Sequence, residues 1–217
     1  MVTIVNAKIS YRLHILTRAF QKLNMPYLNR VIDRITGLED ENWSRIVMRS
    51  ECYKFIDRLG PQNLRVLEIS GNHYSKFQFK NYQSLCFPEF DICMSKIPDD
   101  SFDLIIAEQV FEHLLWPRQA ARNVFDMLNT HGYFIISVPF LVRIHDEPID
   151  CTRWSKTGLK YFLAESGFNL ENITTASWGN EACVKANLLQ FCRYRSRVHS
   201  LENQDNYPYH VWAFAKK

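Results

Sequence analysis

The sequence has no run of roughly 18 uncharged apolar residues, so no membrane-spanning helix is expected. It also lacks any C-x-x-C pair. Its six cysteines, at 52, 86, 93, 151, 183 and 192, have no histidine at zinc-finger spacing. That excludes a zinc ribbon or dithiol motif and leaves free, mostly buried thiols in a reducing compartment as the expectation. No secretory leader is read, because Lys8 and Arg12 interrupt the early apolar residues and no small-residue cleavage site follows. A cytoplasmic location is the expectation. Charge of one sign is lacking too: 26 Lys+Arg against 23 Asp+Glu give +3, too mild to imply nucleic acid. What is present, 47% hydrophobic and 23% charged residues, is ordinary for a globular chain and excludes collagen-like and disordered classes. At 217 residues, one domain with an appended segment is the prior. A chain of that size buries about 70% of its unfolded surface. Aromatics at 14% suit a sizeable pocket.

The hydrophobic period changes along the chain. Residues 1–62 read as helices only, a helical N-terminal segment. Ile9, Leu13, Leu16, Phe20 and Leu23 form an amphipathic stripe with Lys8, Arg12, Arg18 and Lys22 beside it, and Pro26 ends it. This helix is expected to act as a lid or cap, with peripheral membrane contact as the other use of such a stripe. Further helices are expected at 27–36, stopping at Gly37, and at about 42–59, stopping at Gly60-Pro61. From 63 to 217 strands and helices alternate. Leu64–Ile69, Tyr82–Phe87, Leu104–Ala107, Tyr133–Val138 and Tyr209–Ala215 read as strands. Pro117 opens a helix to about Leu128, with Ala120, Ala121, Val124 and Phe125 facing inward, and Asn129-Thr130-His131-Gly132 is a turn. Ser155 caps a helix with apolar Leu159, Phe162 and Leu163, which stops at Gly167-Phe168. This alternation predicts an α/β fold with a mainly parallel sheet.

Val66-Leu67-Glu68-Ile69-Ser70-Gly71-Asn72 is a strand ending in an acid and a small-residue turn. Ligands bind at that edge of a doubly wound sheet, and glycine admits close backbone approach. Then come Pro98-Asp99-Asp100-Ser101-Phe102-Asp103, Glu112-His113-Leu114 and Leu128-Asn129-Thr130-His131-Gly132. Together, and in this order, they resemble the class I S-adenosylmethionine-dependent methyltransferases, in particular the type 11-like group. The resemblance covers roughly 64–168. It implies a Rossmann-like fold with a central seven-stranded, mainly parallel sheet whose last strand is antiparallel, S-adenosylmethionine as cofactor, and a methyltransferase domain at 63–217. The stretch His145-Asp146-Glu147-Pro148-Ile149-Asp150-Cys151-Thr152-Arg153-Trp154 also looks like a pattern of that group, one that recurs among sugar-modifying relatives.

The resemblance also implies roles. Glu68 helps hold the methionine amino group, and Ser70, Gly71 and Asn72 form the loop around it, although the family prefers glycine at 70 and 72. Cys86 stands where an acid grips the ribose, with Glu89 as substitute. Asp91 and Ile92 meet the adenine, and Ala107 and Glu108 lie below the transferred methyl. Some ubiquinone-pathway O-methyltransferases and small-RNA 3′-end methyltransferases bind a divalent cation through an E-x-x-E-H segment and a later histidine. Glu112, His113 and His145 match part of that set, but Gln109 replaces the first acid. The loss of a carboxylate weighs against a cation, so no metal is expected and Glu112-His113 is read as orienting the substrate loop. His113 and His145 are the candidate general bases, since neutral imidazole suits deprotonation of a hydroxyl. Asp150, Arg153 and Trp154 are candidate substrate-binding residues. Arg153 is read either as an anion clamp or as the ion-pair partner of Asp150.

Near the C-terminus, Lys185, Arg193, Arg195 and Arg197 with Trp178, Phe191 and Tyr194 make a basic, aromatic stretch, read as a solvated face or a site for a sugar phosphate or RNA. The expected function is methyl transfer to a small-molecule or carbohydrate-like acceptor, at oxygen, by in-line displacement. The alternatives are a methyltransferase-fold binding protein without activity, motivated by Ser70, Asn72 and Cys86, and an RNA methyltransferase, against which the small net charge counts.

Overall fold

The computed structural model describes residues 26–95 and 97–217. In chain order the elements are α1 (Pro26–Thr36), β1 (Leu38–Asn42), α2 (Ile46–Leu59), β2 (Arg65–Ile69), β3 (Asn81–Leu85), β4 (Phe102–Glu108), α3 (Pro117–Met127), β5 (Leu128–Pro139), α4 (Lys156–Glu165), β6 (Ile173–Trp178), α5 (Glu181–Ala186), β7 (Arg193–Arg195) and β8 (His210–Lys216). Short 3-10 turns occur at Trp43–Arg45, Pro61–Asn63, Phe111–His113 and Leu170–Asn172. The stripe from Ile9 to Leu23 lies outside the described residues. No helix among them is long and apolar enough to cross a membrane.

The chain divides into two units. The larger spans Ser50–Phe140, Ile144–Ser177 and His210–Lys217. Its sheet has the order β3-β2-β4-β5-β8-β6. β2 pairs in parallel with β3 and β4, β4 in parallel with β5, and β8 antiparallel with β5. The central strands are continuous apolar runs because both faces are covered. Leu104 to Ala107 are fully buried, as are Phe134, Ile136 and Val138. α3 starts at Pro117 and buries Ala120, Ala121, Val124 and Met127. α2 contributes Phe55, stacked on Phe214 at 4.1 Å and edge-on to Tyr133.

The expected strands and helices of this unit are present, with three differences. Among the described residues the sheet has six strands, not seven: between Cys86 and Ser101 they form turns, with Asp91 accepting from the backbone N–H of Cys93 at 2.9 Å. The turn at Asn129–Gly132 is absorbed into β5 as an irregularity. The register passes from Phe102–Leu128 to Leu104–Tyr133, and His131 takes a positive φ of 71°. β6 was not expected at all. Its β-branched Ile173, Thr174 and Thr175 carry the propensity, but they cover too short a span to stand out in the sequence.

The smaller unit comprises the described residues up to Arg49 together with Leu141–Arg143 and Trp178–Tyr209. Here the helices-only reading of 1–62 fails. Leu38–Asn42 is a strand, antiparallel to β7. LEDEN has no strand propensity, so the pairing is imposed by tertiary partners. Arg195 donates to Asp33 at 2.9 Å and also to Thr36, and Arg193 pairs with Asp40. Trp43 is buried, stacked on His199 at 4.0 Å, and its indole donates to the Ser200 carbonyl at 3.0 Å. Burial, with the Arg195 charge beside it, pushes the His199 imidazole down to about 4. The basic, aromatic stretch is therefore partly spent inside this unit, although Lys185, Phe191, Arg193 and Arg197 remain exposed. Trp178 and Tyr194 are buried, Arg193 and Arg195 hold acids of this same unit, and Lys185 pairs with Glu181.

All six cysteines are free. The cap of α4 is as read: Ser155 Oγ accepts from Gly158 N–H at 3.1 Å, and at the other end Gly167, φ +120°, precedes buried Phe168. Replacing Ser155 by Ala leaves that N–H without its acceptor and should cost about 1 kcal/mol in urea unfolding, while Ser155→Asp should keep the stability.

Candidate functional site

The acid at the end of β2 organises the carboxyl edge of the sheet. Glu68 is almost fully buried. Its carboxylate accepts from the backbone N–H groups of His73 at 2.8 Å and Tyr74 at 3.0 Å, and from the Tyr82 hydroxyl at 2.6 Å. A buried carboxylate is tolerated only with such partners. The Tyr82 bond follows from register. Glu68 lies opposite Ser84, so Tyr82, two residues earlier on β3, is its diagonal neighbour on the same face. Burial, then the Glu68 bond, raises the Tyr82 phenol far above its ordinary value, so it remains a donor.

The connection from β2 to β3, residues 70–80, contains no helix. It is a series of turns wrapped on the Glu68 carboxylate. Ser70 takes a positive φ of 56°, a conformation where glycine is the usual residue. Gly71 is required by close approach: a Cβ there would stand 2.5 Å from Glu68 Oε1. The Gly71 carbonyl accepts from the Ser84 hydroxyl. Tyr74 is fully buried and its hydroxyl donates to Glu108 at 2.8 Å, so one residue ties the acid of β2 to the acid of β4. The ring of Tyr53 on α2 meets Tyr74 and Phe77 edge-on, its hydroxyl bonds His73, and Lys76 Nζ stands 3.6 Å from its centroid.

Of the expected cofactor residues, Glu68, Gly71 and Glu108 are thus joined by hydrogen bonds or close approach. Ala107 is buried within β4 and Ile92 is buried in the turn after β3, its carbonyl accepting from Asn123 at 2.7 Å. Asn72, Cys86 and Glu89 are exposed, and Asp91 is half-buried. Tyr74 and Tyr82 were missed. The dense aromatic run His73-Tyr74, Phe77, Phe79, Tyr82 was the available signal.

A second cluster lies on the loops after β4 and β5. Glu112 is fully buried in the 3-10 turn, and its carbonyl accepts from Cys151 N–H at 2.8 Å and Thr152 N–H at 3.3 Å, tying the two loops together. His113 Nδ1 bonds the Ile149 carbonyl, which directs Nε2 to 3.7 Å from Glu112 Oε1. The rings of His113 and His145 meet edge-on with centroids 5.1 Å apart. His145 is held by Asp150, which accepts from its backbone N–H at 2.9 Å and lies 3.3 Å from Nδ1. Arg153 clamps the same carboxylate with both terminal nitrogens, one at 2.5 Å. The ion-pair reading of Arg153 is therefore the one observed. These bonds, with the His145 contacts added and burial opposing, hold Asp150 down at about 2. One donor atom each from Glu112, His113 and His145 falls within 4.8 Å of the other two. The set survives the loss of an acid at position 109. Gln109 itself turns away to the Ser137 hydroxyl at 3.2 Å.

Residues 53–136 match the profile of the methyltransferase-domain family. No curated protein matches the chain by sequence. Among solved structures, a complex between the Haloferax volcanii Trm112 methyltransferase activator and its partner methyltransferase is similar over 85% of this chain and 92% of that one, at TM-score 0.53 and 14% identity. An S-adenosylmethionine-dependent methyltransferase from Thermotoga maritima matches over 81% of this chain and 98% of that one, at 0.50 and 13%. Haemonchus contortus phosphoethanolamine N-methyltransferase 2 with S-adenosylmethionine matches over 77% of this chain and 52% of that one, at 0.50 and 12%. At these identities the structures speak for the fold. Profile and fold agree on the class: residues 53–136 carry a methyltransferase domain within a Rossmann-like α/β fold, which supports S-adenosylmethionine as the cofactor.

Removing the Glu68 carboxylate deprives three donors of their acceptor. Glu68→Ala should lower stability by about 1.5–3 kcal/mol in urea and weaken calorimetric binding of S-adenosylhomocysteine. Gly71→Val should do both as well. Asp150 is more acidic folded than unfolded, so its contribution is complete above about 4 and disappears as pH falls toward 2. An acid titration of tryptophan fluorescence should report loosening in that window, and Asp150→Asn should lose the dependence.

Proposed function

We propose that the protein transfers a methyl group from S-adenosylmethionine to a hydroxyl of a small-molecule or carbohydrate-like acceptor, by in-line displacement. The observation that carries this reading is the histidine pair beside a buried carboxylate, with one nitrogen of each ring held by the loop after β5. When bound, the cofactor supplies an electrophilic methyl on a sulfonium. Glu68 and Glu108, each accepting from a phenol, place two acidic side chains at the carboxyl edge of the sheet, which suits a cationic ligand. Ser70, Gly71 and Asn72 would surround its methionine part, and Cys86, Glu89, Asp91 and Ile92 its ribose and adenine. The protein's main contribution is alignment of nucleophile, methyl and sulfur.

The acceptor's proton is the task of the cluster. With the Nδ1 proton of His113 on the Ile149 carbonyl, Nε2 keeps its lone pair and can take a proton. His145 is oriented similarly by Asp150. A second reading is favoured by the convergence of Glu112, His113 and His145. One carboxylate and two imidazoles fit a borderline divalent ion such as Zn²⁺ or Mn²⁺, which would lower the pKa of a bound hydroxyl. The absence of an acid at Gln109 does not remove any of these three donors.

His113→Ala or His145→Ala should each cost roughly 10²–10⁴ in rate while cofactor affinity is kept. Metal content of the purified wild type, with EDTA treatment and Mn²⁺ or Zn²⁺ add-back, separates base from ligand. Loss and rescue of activity favour the ion. Indifference to EDTA with a strong alanine effect favours the base. Failure of S-adenosylhomocysteine to bind at millimolar concentration would remove the enzymatic reading altogether.

A further inference from the structure

An open groove of about 450 Å³ lies between the first turns of α3 and the segment entering α4, lined by Leu115, Trp116, Arg118, Arg122, Trp154 and Phe162 among others. That volume is in the range of small-molecule sites. Among the described residues, its apolar wall includes large side chains that remain exposed. Leu115 is 63% exposed and Trp116 58%, adjacent large side chains that a folded chain would ordinarily cover or dispense with. Trp154, tilted against Phe162 at 4.9 Å between centroids, lines the groove as well.

The charged residues of the groove are cationic. Arg118 and Arg122 are four residues apart on α3, so they share a helix face, where like charges repel. Arg118 has Glu165 at 2.7 Å, but both side chains of that pair are more than half exposed, so the contact is weak and open to competition. Arg122 is exposed. Gln119, between them, is engaged with Asn123 at 3.0 Å. An anion against this face would relieve the repulsion, and guanidinium suits phosphate or carboxylate bidentately.

The groove is also adjacent in sequence to the histidine cluster on both segments that carry it. Trp116 is three residues beyond His113. Trp154 follows Arg153, which clamps the Asp150 that holds His145.

We infer that this groove binds the methyl acceptor, and that the acceptor is an anionic ring compound: an apolar ring face on Trp116 and Trp154, a phosphate or carboxylate on Arg118 and Arg122. The ring is either a saccharide chair or an arene, which share this chemistry. Naming the ligand an acceptor rests on the methyl-transfer reading, whereas the binding site does not.

The test is titration of the full-length protein, by tryptophan fluorescence and calorimetry, with glucose 1-phosphate, glucuronate, benzoate and uncharged methyl glucoside, alongside S-adenosylhomocysteine. At least one anion should bind at least tenfold tighter than methyl glucoside. Trp116→Ala and Arg122→Gln should each weaken that binding about tenfold or more, with the thermal midpoint and the S-adenosylhomocysteine affinity unchanged. Preference for the sugar anions or for benzoate assigns the ring. The inference is overturned if no anion binds while S-adenosylhomocysteine does, if methyl glucoside binds as well as the anions, or if both variants bind like wild type. Anion binding that needs Trp116 and Arg122, without any S-adenosylhomocysteine binding, would sustain the groove and remove the methyl-transfer reading instead.

Discussion

A single buried carboxylate fixes the geometry at the end of β2. Glu68 must have donors where it is, and the chain supplies them by curling residues 70–80 back over the end of β2. Because the donors are two successive backbone N–H groups, the acid dictates a loop conformation and not only a side-chain contact. The positive φ at Ser70, the need for glycine at 71 and the burial of Tyr74 follow from that curl. Tyr74 then reaches Glu108, so the spacing between the ends of β2 and β4 is set by one rigid phenol. In this chain a hydrogen-bonded carboxylate substitutes for the ordering that a crossover helix would otherwise give.

The loops after β4 and β5 obey a similar logic with different parts. The residues from His113 and His145 are aimed by neighbours that spend their own polar groups on aiming: the Ile149 carbonyl for one, Asp150 for the other. Arg153 is consumed in holding Asp150. Of the two roles the sequence leaves open for this guanidinium, the structure shows the ion pair, and Arg118 and Arg122 on α3 are the more exposed cations.

Legibility in the sequence tracked locality. β2, β4, β5 and α4 could be read because their apolar period and caps are local. Glu68 and the histidines could be placed at the sheet's carboxyl edge because strand ends are legible once strands are. Tyr82 could not be assigned to Glu68, since that contact depends on the β2–β3 register. The ion pair of Asp150 and Arg153 was readable at three residues' spacing, yet its choice over an external anion needed coordinates. β1 was illegible in principle. LEDEN carries no strand signal, and its partner lies some 150 residues away.

That distance has a consequence for how the chain acquires its structure during synthesis. Trp43 waits for Ser200, Asp40 for Arg193, and β5 keeps one bare edge until β8, the final strand, is available. Contacts of such separation come late, because the closure entropy must be met before they form. The strand edges of β1 and β5 therefore stay unpaired until residues 193–216 are made. Truncation before His210 would leave that edge of β5 exposed, a ready template for pairing with another chain.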